Sequence, residues 1–274
     1  MAKGYCPVCG RYVGPLTRCP YCGADIPRER SYILLKRLAV VLAVAGLLSL
    51  WAYASHVPYK RVYLSELGPT YNYAYVRVDG VVSSVPYLAK RPDGTYALYF
   101  DVDDGTAVAS VHVYHTGYMA LRKAGVTIML GDRVSLAVQV RFLMNSYYLI
   151  LNGPSFILEQ ERPEPVRAQV RDVLNGKYGI GTWVSVEGVL TDVSYLEEYK
   201  FIRAYLSQGG TSIMVYLPFN FCEYLGEEPE EVFAYLKLLE GSKVRVDAPL
   251  MLYGFPTGGE WELVPVVPQG VQPA

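Results

Sequence analysis

The heptapeptide Val76-Arg77-Val78-Asp79-Gly80-Val81-Val82 returns 108 residues later as Val184-Ser185-Val186-Glu187-Gly188-Val189-Leu190. Both read as strands with one buried face, apolar residues alternating with polar ones and a glycine placed midway. A second pair, Gly131-Asp132-Arg133-Val134-Ser135-Leu136 and Gly241-Ser242-Lys243-Val244-Arg245-Val246, recurs at an offset of 110, so the repeat is about 109 residues long. Alternation puts Val76, Val78, Val134, Leu136, Val138, Val140, Val244 and Val246 on the inner face, and Arg77, Asp79, Arg133, Ser135, Lys243 and Arg245 on the outer one.

Outward from these strands, Tyr96–Val102 and Phe201–Leu206 read as second strands, Val108–Tyr114 and Ser212–Leu217 as third strands. Tyr147–Leu151 and Trp261–Val264 supply fifth strands. A helix fits between strands three and four, over Tyr118–Ala124 and over Glu228–Leu239, the latter with Pro229, Glu230 and Glu231 in its first turn. Three strands, a helix and two strands, with a glycine where strand one must bend, resembles the OB-fold superfamily over residues 71–158 and 180–267. Another small β-barrel or sandwich is the competing architecture. The resemblance implies a mainly β body of two tandem five-stranded barrels whose ligand surface is the outer face of strands two and three. Tyr99, His112 and Tyr114 occupy that face in copy one, and Arg203 and Tyr205 in copy two; Tyr71, Tyr73, Tyr75 and Arg77 lie on the outer side of strand one.

The first 25 residues are of another kind. Cys6-Pro7-Val8-Cys9-Gly10 is repeated as Cys19-Pro20-Tyr21-Cys22-Gly23, and each C-x₂-C turn can present two thiolates to one tetrahedral ion. The doubled CPxCG knuckle resembles the short zinc-ribbon family over residues 5–26, which implies a structural Zn²⁺ held by Cys6, Cys9, Cys19 and Cys22. Two disulfides, redox CxxC motifs and iron in place of zinc are the other readings of the same four cysteines.

Leu38–Val57 holds 20 residues without Asp, Glu, Lys or Arg, bounded by Lys36 and Arg37 before it and Lys60 and Arg61 after it. As a helix it is about 30 Å long, the thickness of a bilayer core, with Trp51, Tyr53 and Tyr59 placed as an aromatic belt. A single membrane span over 33–57 is expected. Five bases in residues 18–37 against three in 58–77 put the N-terminus in the cytoplasm and the body outside. The expected order is a ribbon (1–27), the span (33–57), a linker (58–70), barrel one (71–158), the charged linker containing Glu159–Pro165 (159–179), barrel two (180–267) and a tail (268–274).

At 274 residues, 51% hydrophobic and 19% charged, the chain is too apolar for wholesale disorder and long enough for about two domains. Its net charge of −1 divides into +5 over residues 1–57 and −6 over the rest, with +2 in 58–158 and −8 in 159–274. That balance opposes polyanion binding, at least by copy two. Asp101, Asp103 and Asp104 lack the glycine and glutamate spacing of a calcium loop and read as a turn. Gly179-Ile180-Gly181 and Gly258-Gly259 read as turns, not phosphate loops, His112 and His115 project from opposite faces, and Cys222 reads as a small apolar residue.

With a coordinatively closed metal site and no nucleophile–base context, a non-enzymatic, membrane-anchored binding or scaffold protein with a protein or envelope partner is the leading expectation. Nucleic-acid binding by a tethered OB protein is the alternative. A span followed by an outward OB domain, with Val111-His112-Val113-Tyr114 and Gly131-Asp132 in order, is also similar to the haem chaperones of cytochrome c maturation. That likeness implies a haem-attaching His or Cys beyond the barrel, and copy one supplies none after Tyr147.

Overall fold

The computed structural model describes residues 4–14, 16–26, 30–56, 58–144, 146–253 and 259–274. Residues 1–3, 15 and 27 of the expected ribbon, Val57 at the end of the expected span and Gly258 lie outside the described residues. The chain divides into two compact units, Met1–Pro58 and Tyr59–Ala274.

In the first unit Cys6, Val13 and Cys19 make a small core, and antiparallel bridges Tyr5–Tyr12 and Arg18–Asp25 fold the chain back around each cysteine pair. Helix α1 (Arg30–His56) follows. Its Leu34–Tyr53 stretch has a mean hydropathy of 1.9 and none of it is buried, and it is the one helix among the described residues long and apolar enough to cross a membrane. A helix apolar on all sides needs an apolar surrounding.

The second unit begins with β1 (Tyr75–Val82), β2 (Tyr87–Lys90), β3 (Tyr96–Asp103), β4 (Val108–Val113), α2 (His115–Lys123), β5 (Arg133–Leu143), β6 (Ser146–Ile150) and β7 (Ile157–Glu161). It continues with β8 (Val166–Ala168), α3 (Val170–Leu174), β9 (Trp183–Leu196), β10 (Phe201–Gln208), β11 (Thr211–Pro218), α4 (Phe219–Leu225), α5 (Pro229–Leu239), β12 (Lys243–Tyr253), β13 (Glu260–Leu263) and β14 (Val271–Pro273). The first sheet runs β1-β3-β4-β6-β5 and closes through β1–β5, with β4–β6 its parallel pair. The second runs β9-β10-β11-β13-β12 and closes through β12–β9, with β11–β13 parallel. Five strands closed in this order, with a helix between the third and the fourth, make an OB barrel, here twice.

Strand one of each barrel changes partners at its glycine. β1 pairs with β5 up to Val81 and with β3 at Val81 and Val82. A Cβ on Gly80 would stand 2.6 Å from the Asp103 carbonyl oxygen, and one on Gly188 2.7 Å from that of Ser207. Side-chain alternation gives the cores: Val76, Val78, Leu136, Val138 and Val140 in one barrel and Val184, Val186, Val244 and Val246 in the other are all buried. Ser135, expected on the outer face, is buried too, because its hydroxyl donates to Asp79, whose carboxylate also takes Arg61 and Arg77.

Residues 159–179 carry paired backbone: Glu159–Glu161 bond to β5 and Val166–Ala168 to β9. Residues 268–274 include β14, which pairs with β12. The barrels are locked together around the turn 127–132. Asp132, fully buried, accepts from Met129 N, Gln160 Nε2 and both Nε and Nη2 of Arg162. From barrel two, Trp183 Nε1 donates to Leu130 O at 3.0 Å and the Tyr224 hydroxyl accepts from Ile128 N at 2.7 Å.

Candidate functional site

The sulfurs of Cys6, Cys9, Cys19 and Cys22 all lie within 4.8 Å of one another. The Cys6–Cys22 and Cys9–Cys19 separations are 3.6 Å each and every cysteine is a free thiol, which sets aside the two-disulfide reading. A tetrahedron of 2.3 Å metal–sulfur bonds has S···S edges of about 3.8 Å, so the four thiols fit one ion. Gly10 and Gly23, at φ 68° and 73°, turn the chain back so that their N–H groups reach the carbonyls of Cys6 and Cys19. Backbone N–H groups of Cys9, and of Val8 at 3.4 Å, hold the Cys6 thiol down to about 6 against the opposing pull of burial.

On barrel one, pairing brings the expected outer residues into one cluster. Tyr99 stands opposite His112, and their rings meet edge to face at 4.8 Å. His112 stacks on Tyr148 at 4.3 Å and meets Tyr114 edge-on at 6.4 Å. Tyr87, from the β2 hairpin, extends the row to Tyr99 at 5.8 Å. Arg91 lies 5.2 Å over the Tyr114 ring. Burial, and then the Arg91 charge, lower the His112 pKa against the pull of Asp101, so the imidazole is neutral at pH 7. Burial and a hydrogen bond to Tyr148 push the Tyr114 phenol up to about 12.

Sequence reasoning names Tyr99, His112 and Tyr114 but misses Tyr87, Arg91 and Tyr148. Tyr148 is set by the parallel β4–β6 register, which no local pattern reveals; Tyr87 sits on a four-residue strand too short to read by alternation.

In barrel two the registers make Arg203, Tyr216 and Glu262 the counterparts of Tyr99, His112 and Tyr148. Arg203 lies 5.6 Å over Tyr205, so these two expected residues do meet, though in a different chemistry from copy one. Glu262 is 1% exposed and its Oε2 has no partner among the described residues. Desolvation, and then the charge of Glu260, raise its pKa to about 7.

The remaining candidates are structural. Asp104 closes its turn by accepting from the backbone of Leu64, Thr106 and Ala107. His115 Nδ1 accepts from Tyr96 N at 3.2 Å. Cys222 is buried in α4, with its thiol pushed up to about 12 by desolvation.

No known protein family and no curated protein matches the chain. Solved structures similar to it include the p204 HINb domain, 15% identical at a TM-score of 0.28, covering 71% of this chain and 94% of that one. A replication protein A heterotrimer bound to ssDNA is 11% identical at 0.36, over 76% and 53% of the two chains. A murine DNA binding protein bound with ds DNA is 12% identical at 0.28, over 72% and 96%. The likeness is distant, and the OB assignment rests on the strand order and registers given above.

Proposed function

We propose that this chain is a non-catalytic binding protein, anchored in a membrane by α1, whose ligand surface is the outer face of barrel one and whose partner is a protein. The row Tyr87–Tyr99–His112–Tyr148 with Tyr114 carries this reading. Tyrosine rings offer large contact areas with a polar tip and few rotamers to lose, the composition of interface cores. The chain beyond residue 57 carries −6, which favours a protein over a polyanion. The four-cysteine module holds a structural Zn²⁺; with four thiolates bound the ion has no open position, so it shapes a surface and supplies no chemistry. The five bases of residues 18–37 against three in 58–77 support a ribbon in the cytoplasm and barrels outside.

Single-stranded nucleic acid is the second reading. It is favoured by the position of the rings, where OB barrels stack bases, and by Arg91 and Arg141 beside them. One experiment separates the two. Solubilised full-length protein and its Tyr99→Ala/Tyr114→Ala variant are compared for partner capture and for binding a single-stranded oligonucleotide. Protein capture that falls about tenfold in the variant supports the first reading. Micromolar, salt-sensitive oligonucleotide binding that the variant loses would replace it with the second.

A further inference from the structure

The chain enters barrel one at the end where β1 starts. Residues 60–62 run parallel to β1, with Lys60 O accepting from Arg77 N at 2.9 Å and Val62 N donating to Arg77 O at 3.0 Å. Tyr59 therefore lies at the Tyr75 end of the strand, its ring 6.2 Å from that of Tyr75 and 6.5 Å from that of Phe156. β5 runs out at the same end. It pairs Gln139 with Tyr75, continues through Val140 beside Ala74 and Tyr73, and turns towards β6 at Leu143 and Met144. At about 3.4 Å per residue that turn stands roughly 15 Å along the strand from the Tyr75 pair.

This end is apolar where packing does not explain it. Met144 is 90% exposed, Leu143 60% and Tyr73 57%. Among the described residues four besides glycine have left-handed backbone, and the two with large apolar bodies, Tyr73 at φ 68° and Met144 at φ 47°, are both here. Asn, Asp or Gly holds such a conformation at less cost, so a bulky side chain kept there and left exposed serves something outside the fold. The charge is equally selective. The stretches 58–63, 69–76 and 139–156 that supply this end contain no Asp or Glu, in a body whose net charge is −6. They do carry Lys60, Arg61 and Arg141, and Arg141 lies 4.2 Å over the Tyr73 ring.

The chain itself indicates what these residues face. Tyr59 follows the last residue of α1 by three positions, no more than about 11 Å of chain. Tyrosine rings with polar tips, an exposed leucine and methionine, and basic residues without acids in sequence around them are the side-chain set of a membrane–water interface. We propose that this end of barrel one rests on the bilayer that α1 spans, with Leu143 and Met144 inserted at headgroup depth and Lys60 and Arg141 against lipid phosphates. The inference rests on α1 being a membrane span and adds a second, non-helical contact with the same bilayer.

The test uses full-length protein in nanodiscs of equimolar phosphatidylcholine and phosphatidylglycerol, with a photoreactive diazirine amino acid replacing one residue at a time. Leu47, within α1, reports the span and Met144 the proposed contact; Val108, 57% exposed at the opposite end of barrel one, is the control. Lipid adducts are expected at positions 47 and 144, with 144 at least about tenfold above 108. Leu143→Glu should lower the adduct at 144 at least about fivefold and leave 47 unchanged, because a carboxylate resists desolvation and is repelled by anionic lipid. Tyr73→Glu should act in the same direction. Mere nearness to the tether would survive both changes. Lipid adducts at 47 with none at 144 would overturn this contact and leave the span standing; none at either position would remove both. Equal adducts at 144 and 108, an adduct at 144 that both Glu variants leave unchanged, or cross-linking of 144 to protein in place of lipid would also overturn it.

Discussion

Arg162 meets Asp132 through two nitrogens, at 2.8 and 3.0 Å, and lies 5.4 Å from the Trp183 ring of the other barrel. Asp132 is wholly buried, so removing its cation strands a charge in an apolar junction. Arg162→Met is expected to cost about 3 kcal/mol of unfolding free energy, read in a denaturant melt of the intact protein. The stretch Glu159–Pro165 reads from sequence as a charged, proline-broken linker, because nothing local tells that its arginine folds back 30 residues onto a turn. Glu262 teaches the same lesson with the opposite sign. Its carboxyl is raised from an ordinary 4.5 to about 7 by burial, so the folded chain holds that proton more tightly than the unfolded one. Stability from this group is complete below about 4.5 and is lost as pH rises to about 7, a change of about 3 kcal/mol. Thermal melts across pH 5 to 8 should fall for the parent protein and stay flatter for Glu262→Gln; an identical slope in the two would contradict the assignment.

Strands with one buried face are legible because alternation survives in β1, β9 and β12, whereas β5 buries Val134 to Val138 on both faces. Gly80 and Gly188 were legible for the same reason, each being the odd residue in a strand that has to change partners. Gly188→Ala should therefore shift the melting of the Tyr59–Ala274 unit downward by more than a surface substitution does, on the order of 2 kcal/mol, since its Cβ would meet the Ser207 carbonyl and the Leu206 side chain. Helix α4 was not legible. It runs seven residues, Phe219–Leu225, follows a proline directly, and is apolar at nearly every position, so no helical stripe separates it from a strand; only Gly226, left-handed at φ 87°, marks where it stops. The ring face was half legible: alternation gives the outer side of β3 and β4, but the strands that complete the row come from pairings across the barrel.

At the scale of the molecule, the four-cysteine module and the barrel pair belong to separate compact units. Stripping metal from the protein with a chelator is expected to unfold residues 4–26 and leave the melting of the barrels where it was. Less than about half an equivalent of zinc in freshly purified, reduced protein would remove the metal reading. The outer ring face of barrel one is the centre of the functional proposal, and it can be interrogated in place. A photoreactive amino acid put in place of Tyr114, with Arg133 on another side of the same barrel as the control position, reports what touches the face in native membranes. A discrete protein adduct at position 114, absent at 133, is the expected result; no adduct at 114, the same adduct at both positions, or a nucleic-acid adduct would contradict it.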